Sequence, residues 1–118
     1  MRELILRLKE AKEKLYALFT YLDFEKLKED LEELEEKAAD NNIWDDPQSA
    51  QKVMKSVSDK RNEVESWQKL EGRINDVLEL AELEDESFVE DITKELNAIE
   101  TELTRKELQT LLSGRYDK

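Results

Sequence analysis

The sequence predicts an all-α chain: an elongated, antiparallel bundle of three helical segments, coiled-coil-like, with the first segment kinked near residues 21–23. Three observations predict it. Apolar residues recur at alternating steps of three and four along most of the 118 residues. Leu, Glu and Lys are abundant, while there are only two glycines and one proline. Short polar stretches carrying helix-cap residues interrupt the periodic runs.

Leu4, Leu8, Ala11, Leu15, Leu18 and Leu22 step by four, three, four, three and four, which puts all six on one helix face. The pattern resumes at Leu27, Leu31, Leu34 and Ala38, so the first segment covers about residues 2–39. Asp23 is a candidate N-cap between the two runs, with Glu25 in the first turn after it, which places the break at residues 21–23. Residues 40–46 read as a connector, because Asp and Asn compete with helix by bonding their own backbone. Asp46 followed by Pro47 is a helix start: a capping carboxylate, then a proline whose missing N–H costs nothing in the first turn.

The second segment, about residues 47–81, carries Ala50, Val53, Val57, Val64, Trp67, Leu70, Ile74, Val77 and Ala81. Its stripe is interrupted at Lys60–Arg61, and Gly72 weakens it by up to about 1 kcal/mol relative to Ala. Residues 82–86 form an acidic connector, after which Ser87 and Glu90 have the spacing of a capping box. The third segment, about residues 87–113, runs Val89, Ile92, Leu96, Ile99 and Leu103, and Leu108, Leu111 and Leu112 extend its apolar side. Gly114 is the expected C-cap. Short connectors make neighbouring helices antiparallel, and helices of this length span roughly 40–55 Å.

Composition excludes whole classes of chemistry. With no cysteine and no histidine there is no zinc finger, disulfide framework, cysteine nucleophile or catalytic histidine. Two isolated glycines make no phosphate-cradling loop. No apolar run is long enough to span a membrane, and the first ten residues do not read as a signal peptide, so cytosol is the expected compartment. Carboxylate pairs on helix faces lack the histidines of a di-metal bundle and the spacing of a calcium loop, so no cofactor or metal is expected. The net charge of −12 argues against direct nucleic-acid binding, which needs clustered Lys and Arg.

That charge is concentrated. Residues 75–102 hold eleven acids and one base, Lys94, for a net charge of −10. Glu82, Glu84, Asp85 and Glu86 in the second connector are therefore the interaction candidates, a surface that steers a basic partner; the plainer reading is a face that keeps the chain soluble. In the first connector Trp44, Asp46 and Pro47 are read as structural. Trp44 is expected to fold onto a bundle end as an anchor, against the alternative of an exposed binding hot spot. Tyr16, Phe19, Tyr21 and Phe24 are expected to pack around the kink.

The motifs, taken together, resemble one family. Tyr21-Leu22-Asp23, then Ile43-Trp44-Asp45-Asp46-Pro47 with Ala50-Gln51-Lys52, and finally Leu111-Leu112-Ser113-Gly114-Arg115-Tyr116-Asp117-Lys118, are similar to the N-terminal helical domain of bacterial peptide chain release factor 2. The resemblance covers essentially the whole chain. It implies a role in translation termination at UGA and UAA codons. That family's Ser-Pro-Phe decoding motif and Gly-Gly-Gln catalytic motif are absent here, so the resemblance implies a truncated, non-catalytic domain, not an enzyme in isolation. It also implies cytoplasmic work on the ribosome, at the large-subunit stalk base near a stalk ribosomal protein, and influence on the class II release-factor GTPase. An up-down-up path then puts the 82–86 connector at the distal end, away from the missing domains. The competing reading is a free-standing coiled-coil scaffold whose partner is another helix.

Overall fold

The computed structural model describes residues 1–112, and all of its regular structure there is helical. The expected C-cap Gly114 and the motif from Ser113 to Lys118 lie outside the described residues. The helices are α1 (Arg2–Leu22), α2 (Phe24–Ala39), α3 (Pro47–Glu82) and α4 (Val89–Leu112), with 3-10 turns at Asn41–Asp45 and Glu86–Phe88. No helix among the described residues is long and apolar enough to cross a membrane.

Each helix boundary has a local cause. Asp23 separates α1 from α2 in the left-handed conformation, φ 56°, which Asp tolerates better than most residues. Its carboxylate accepts from the Lys26 amide at 3.4 Å and caps α2. Asp40 accepts from the Asn42 amide at 3.0 Å and starts the first 3-10 turn. Asp46 accepts from the Gln48 amide at 3.2 Å and from the Ser49 hydroxyl at 2.9 Å, with Pro47 opening α3. From there α3 runs unbroken for 36 residues, through both Lys60–Arg61 and Gly72.

At the far end of α3, Leu83 and Glu84 donate back to the carbonyls of Leu80 and Ala81, and Glu84 takes a φ of 55°. The capping box expected of Ser87 with Glu90 gives way to a different arrangement. Asp85 is the cap: it accepts from the Ser87 amide at 2.9 Å and the Ser87 hydroxyl at 2.7 Å. With its hydroxyl donated backwards, Ser87 sits inside a 3-10 turn, and α4 starts two residues later.

The chain divides into two compact units, Met1–Leu22 with Gln68–Lys118, and Asp23–Trp67. In the first unit, α1, the C-terminal part of α3 and α4 share a core. Leu8, Leu15, Leu70, Ile74, Ile92, Leu96 and Ile99 are fully buried there. Arg7 pairs with Glu100 at 2.6 Å and donates to Asn97, and Lys14 pairs with Glu107 at 2.7 Å. Seven residues forward on α1 thus match seven forward on α4, so these two helices run parallel in constant register. Arg73 pairs with Glu95 while Leu80 shares a groove with Asp91 and Ile92, so α3 runs antiparallel to α4.

The buried stripe of α4 departs from expectation at its end. After Ile92, Leu96, Ile99 and Leu103, the buried positions are Lys106 and Thr110. These keep the three-four step, whereas Leu108, Leu111 and Leu112 fall off it and are exposed. Helix geometry, not residue identity, decides which side chains face inward.

In the second unit, α2 and the N-terminal part of α3 form an antiparallel hairpin. Lys37 shares a groove with Lys52 and Val53, while Asp30 and Leu34 share another with Lys60. Arg61 pairs with Glu35 at 2.8 Å across it. Ala50, Val57, Val64 and Trp67 are buried, but on α2 only Phe24 is; Leu27, Leu31, Leu34 and Ala38 are half-buried. Two helices cannot close around a stripe as three can, so the α2 leucines keep part of their surface.

Candidate functional site: an acidic connector and an exposed tryptophan

The candidate site begins with the sharp turn out of α3. Because Glu84 adopts the left-handed conformation and Asp85 caps the following turn, residues 82–86 are held in a defined bend without glycine. Glu82, Glu84, Asp85 and Glu86 are all exposed. The Ser87 hydroxyl, then its amide, hold the Asp85 carboxyl below the usual carboxylate range. Leu83, with 67% of its surface exposed, stands among them. Charge alone does not single out this leucine, although it lies between Glu82 and Glu84 in the sequence.

The structure sharpens where negative charge is free. Of the eleven acids in residues 75–102, Glu95, Glu100 and Glu102 pair with Arg73, Arg7 and Arg105. The Glu102 carboxyl lies below its usual range, chiefly through the Arg105 hydrogen bond. All three cations lie outside the segment or at its edge in sequence, so composition could not assign them. Among the described residues, Glu82, Glu84, Asp85 and Glu86 enter no ion pair. Surface pairs of this kind add little stability but cancel local potential, so the uncompensated charge gathers toward the connector.

The first connector takes a different form from the one expected. Asp46 and Pro47 start α3 as read, and the Ser49 hydroxyl with the Ser49 and Gln48 amides pulls the Asp46 carboxyl below its ordinary range. Trp44 is not folded away as an anchor: 54% of its surface is exposed. The Asp40 carboxylate caps the start of the 3-10 turn, the Asp46 amide donates to the Ile43 carbonyl at its end, and the indole between them is left outward. Trp44 instead lines an open groove on α3 with Pro47, Ala50, Gln51 and Met54. Tyr16 and Phe19 do pack edge to face, with centroids 5.7 Å apart, and the Tyr16 hydroxyl donates to Glu71 at 2.7 Å, which raises the Tyr16 pKa. Tyr21 remains exposed.

No group of three or more metal-ligating side chains is gathered among the described residues. What the arrangement offers is surface: acidic carboxylates at one connector and an aromatic at the other.

Comparison with known proteins places these features in a family. The PCRF domain family model matches residues 27–118. Peptide chain release factor 2 of Streptomyces avermitilis is 42% identical over 100 residues, covering 81% of this chain and 27% of that protein. The protein of the same name from Chloroflexus aggregans is 35% identical over 121 residues, covering 99% of this chain and 33% of its own length. That from Corynebacterium aurimucosum is 37% identical over 116 residues, covering 95% and 32%. The chain thus spans about a quarter to a third of the length of the curated relatives it matches. The family match takes in α3, α4 and both connectors, and the chain belongs to the PCRF domain family.

Proposed function

We propose that this chain is the N-terminal helical domain of a cytoplasmic translation termination factor that directs termination at UGA and UAA codons. In that role it is a non-catalytic module for contact with the ribosome and with other factors. The observation that carries the reading is the PCRF family match over residues 27–118, joined to relatives named peptide chain release factor 2. A chain without histidine or cysteine, whose candidate residues are surface carboxylates, supports a part in positioning instead of in chemistry.

Within that role, Glu82, Glu84, Asp85 and Glu86 meet a basic protein surface at the stalk base of the large subunit, where a stalk ribosomal protein is the partner. The class II release-factor GTPase is a further partner of the same arm. The carboxylates act mainly on encounter, because exposed charges raise association rates more than they hold a complex together. Leu83, exposed among them, supplies the apolar contact that charge alone lacks.

The reading is tested by grafting. The chain replaces the matched segment of a curated relative, and release of peptide at UGA and UAA is measured. Restored termination at both codons is expected; a hybrid that folds and binds ribosomes normally but fails to terminate overturns the proposal. In the same hybrid, Glu82→Gln, Glu84→Gln, Asp85→Asn and Glu86→Gln together should slow ribosome association and flatten its salt dependence. An unchanged rate and salt slope would remove the connector from the interface.

A further inference from the structure

The groove beside Trp44 lies within the second unit and has no part in the acidic connector. Its walls are Trp44, Pro47, Ala50, Gln51 and Met54, around an open space of about 400 Å³. Trp44 and Met54 expose 54% and 45% of their surfaces, a large apolar outlay for a chain with a mean hydropathy of −0.83. The backbone that carries the indole is also held in place. Asp40 caps the 3-10 turn and Asp46 caps the helix that follows, so little backbone freedom remains to be lost on binding. A rigid aromatic beside a flexible thioether, over a floor of Pro and Ala, is the composition of a surface that receives apolar side chains from a helix.

Charge selects among occupants. Asp45 and Asp46 adjoin the indole in sequence, and both are exposed. The first cation along α3 beyond the groove's last residue, Lys55, is already paired with Asp59 at 3.0 Å. Lys37 and Lys52 line a separate groove, which they share with Asp40 and Asp46. A nucleobase could stack on Trp44, but its phosphates would meet the aspartates of the same connector. A second copy would bring its own −12 charge to a patch of two large apolar side chains, far short of the roughly 800 Å² per partner of a standard interface. A basic partner meets neither obstacle.

We infer that the Trp44–Met54 face is a docking site for a basic amphipathic helix of another protein, whose apolar residues enter the groove while its Lys or Arg side chains approach Asp45 and Asp46. The inference is independent of the role proposed for the acidic connector.

The probe is a synthetic amphipathic helical peptide of leucine and lysine, titrated into the whole chain carrying Trp67→Phe so that only Trp44 fluoresces. The expected result is a blue shift of Trp44 emission with saturable binding that weakens as salt rises. Trp44→Ala, followed by anisotropy of a labelled peptide, should weaken binding at least about tenfold, and Met54→Ser should act in the same direction. Asp45→Asn should reduce the salt dependence. Glu10→Gln with Glu13→Gln, which removes two exposed charges from α1, should leave affinity unchanged, which separates this site from general attraction of a cationic peptide to an acidic chain. Circular dichroism checks that each variant keeps its helix content.

Three comparison arms carry the alternatives. A peptide with glutamate for lysine should bind at least tenfold more weakly, a single-stranded oligouridylate should not shift Trp44 emission, and sedimentation should show no self-association at the titration concentrations. Equal binding of the acidic peptide, a Trp44 shift with the oligonucleotide, concentration-dependent dimerisation lost in Trp44→Ala, or unchanged affinity in Trp44→Ala would each overturn the proposal.

Discussion

Aspartates set the turns of this chain, and each does so with a backbone amide as partner. Asp23, Asp40, Asp46 and Asp85 all accept from an N–H two or three residues on. For Asp46 the consequence is a pH dependence with a definite sign. Its folded-state pKa lies below its ordinary value of 3.8, so the stabilisation it gives is present at neutral pH and is lost as pH falls through and below that value. Asp46→Ala is therefore expected to lower the melting temperature at pH 7, with the gap to the parent chain narrowing at pH 3; thermal melts followed by circular dichroism measure both. Glu84 is the opposite case, a residue whose side chain does not suit its backbone. At φ 55°, Glu84→Gly should stabilise the chain by up to about 1 kcal/mol in urea unfolding, since glycine occupies the left-handed region without the steric cost of a Cβ. The cap positions at Asp23 and Asp46 were legible in the sequence because capping is a local matter. The exchange of Ser87 for Asp85 was not, because both residues offer an acceptor and only the backbone bend decides which one meets the amide.

Among the helices, α3 shows how much a long element tolerates. Gly72 sits in its interior, yet a Cβ built there meets nothing within 4 Å. Gly72→Ala should raise stability by about 0.8–1 kcal/mol, the difference in helix propensity, with no packing cost to offset it; a midpoint shift in urea at constant m-value is the test. In α4 the sequence pattern gave the inward face as far as Leu103. Beyond it, leucine identity pointed to residues 108, 111 and 112, while the three-four step pointed to Lys106 and Thr110. The step prevailed. A lysine can occupy such a position by laying its methylenes along apolar neighbours, and Glu102 lies within 4.0 Å of its nitrogen. Leu108, Leu111 and Leu112 are left outward because turning them in would take the rest of the stripe out.

At the scale of the whole molecule, the two compact units differ in how completely their apolar stripes are covered. The first buries leucines and isoleucines from three helical stretches to near-zero exposure; the second leaves most of the α2 stripe half-buried. Amide hydrogen exchange, read by mass spectrometry, should accordingly be slower in the middle of α4 than in the middle of α2, since local opening follows the apolar surface that must be exposed. Equal protection in the two helices would show that the α2 leucines are better covered than their exposure suggests. What the sequence by itself determined was the helical class, the break at Asp23, the start of α3 at Asp46–Pro47 and an excess of acid about residues 75–102, because periodicity, capping and composition are properties of the chain taken in order. Its motifs also pointed to the family. Only the tertiary structure decided the register of the parallel α1 and α4, with Arg7 on Glu100 and Lys14 on Glu107, that arginine pairs with Glu95, Glu100 and Glu102 leave the unpaired acids of residues 75–102 between Asp76 and Asp91, and that Trp44 faces outward. Those outcomes depend on residues some ninety positions apart meeting in space, or on a side chain being left only half covered, and no local pattern carries that information.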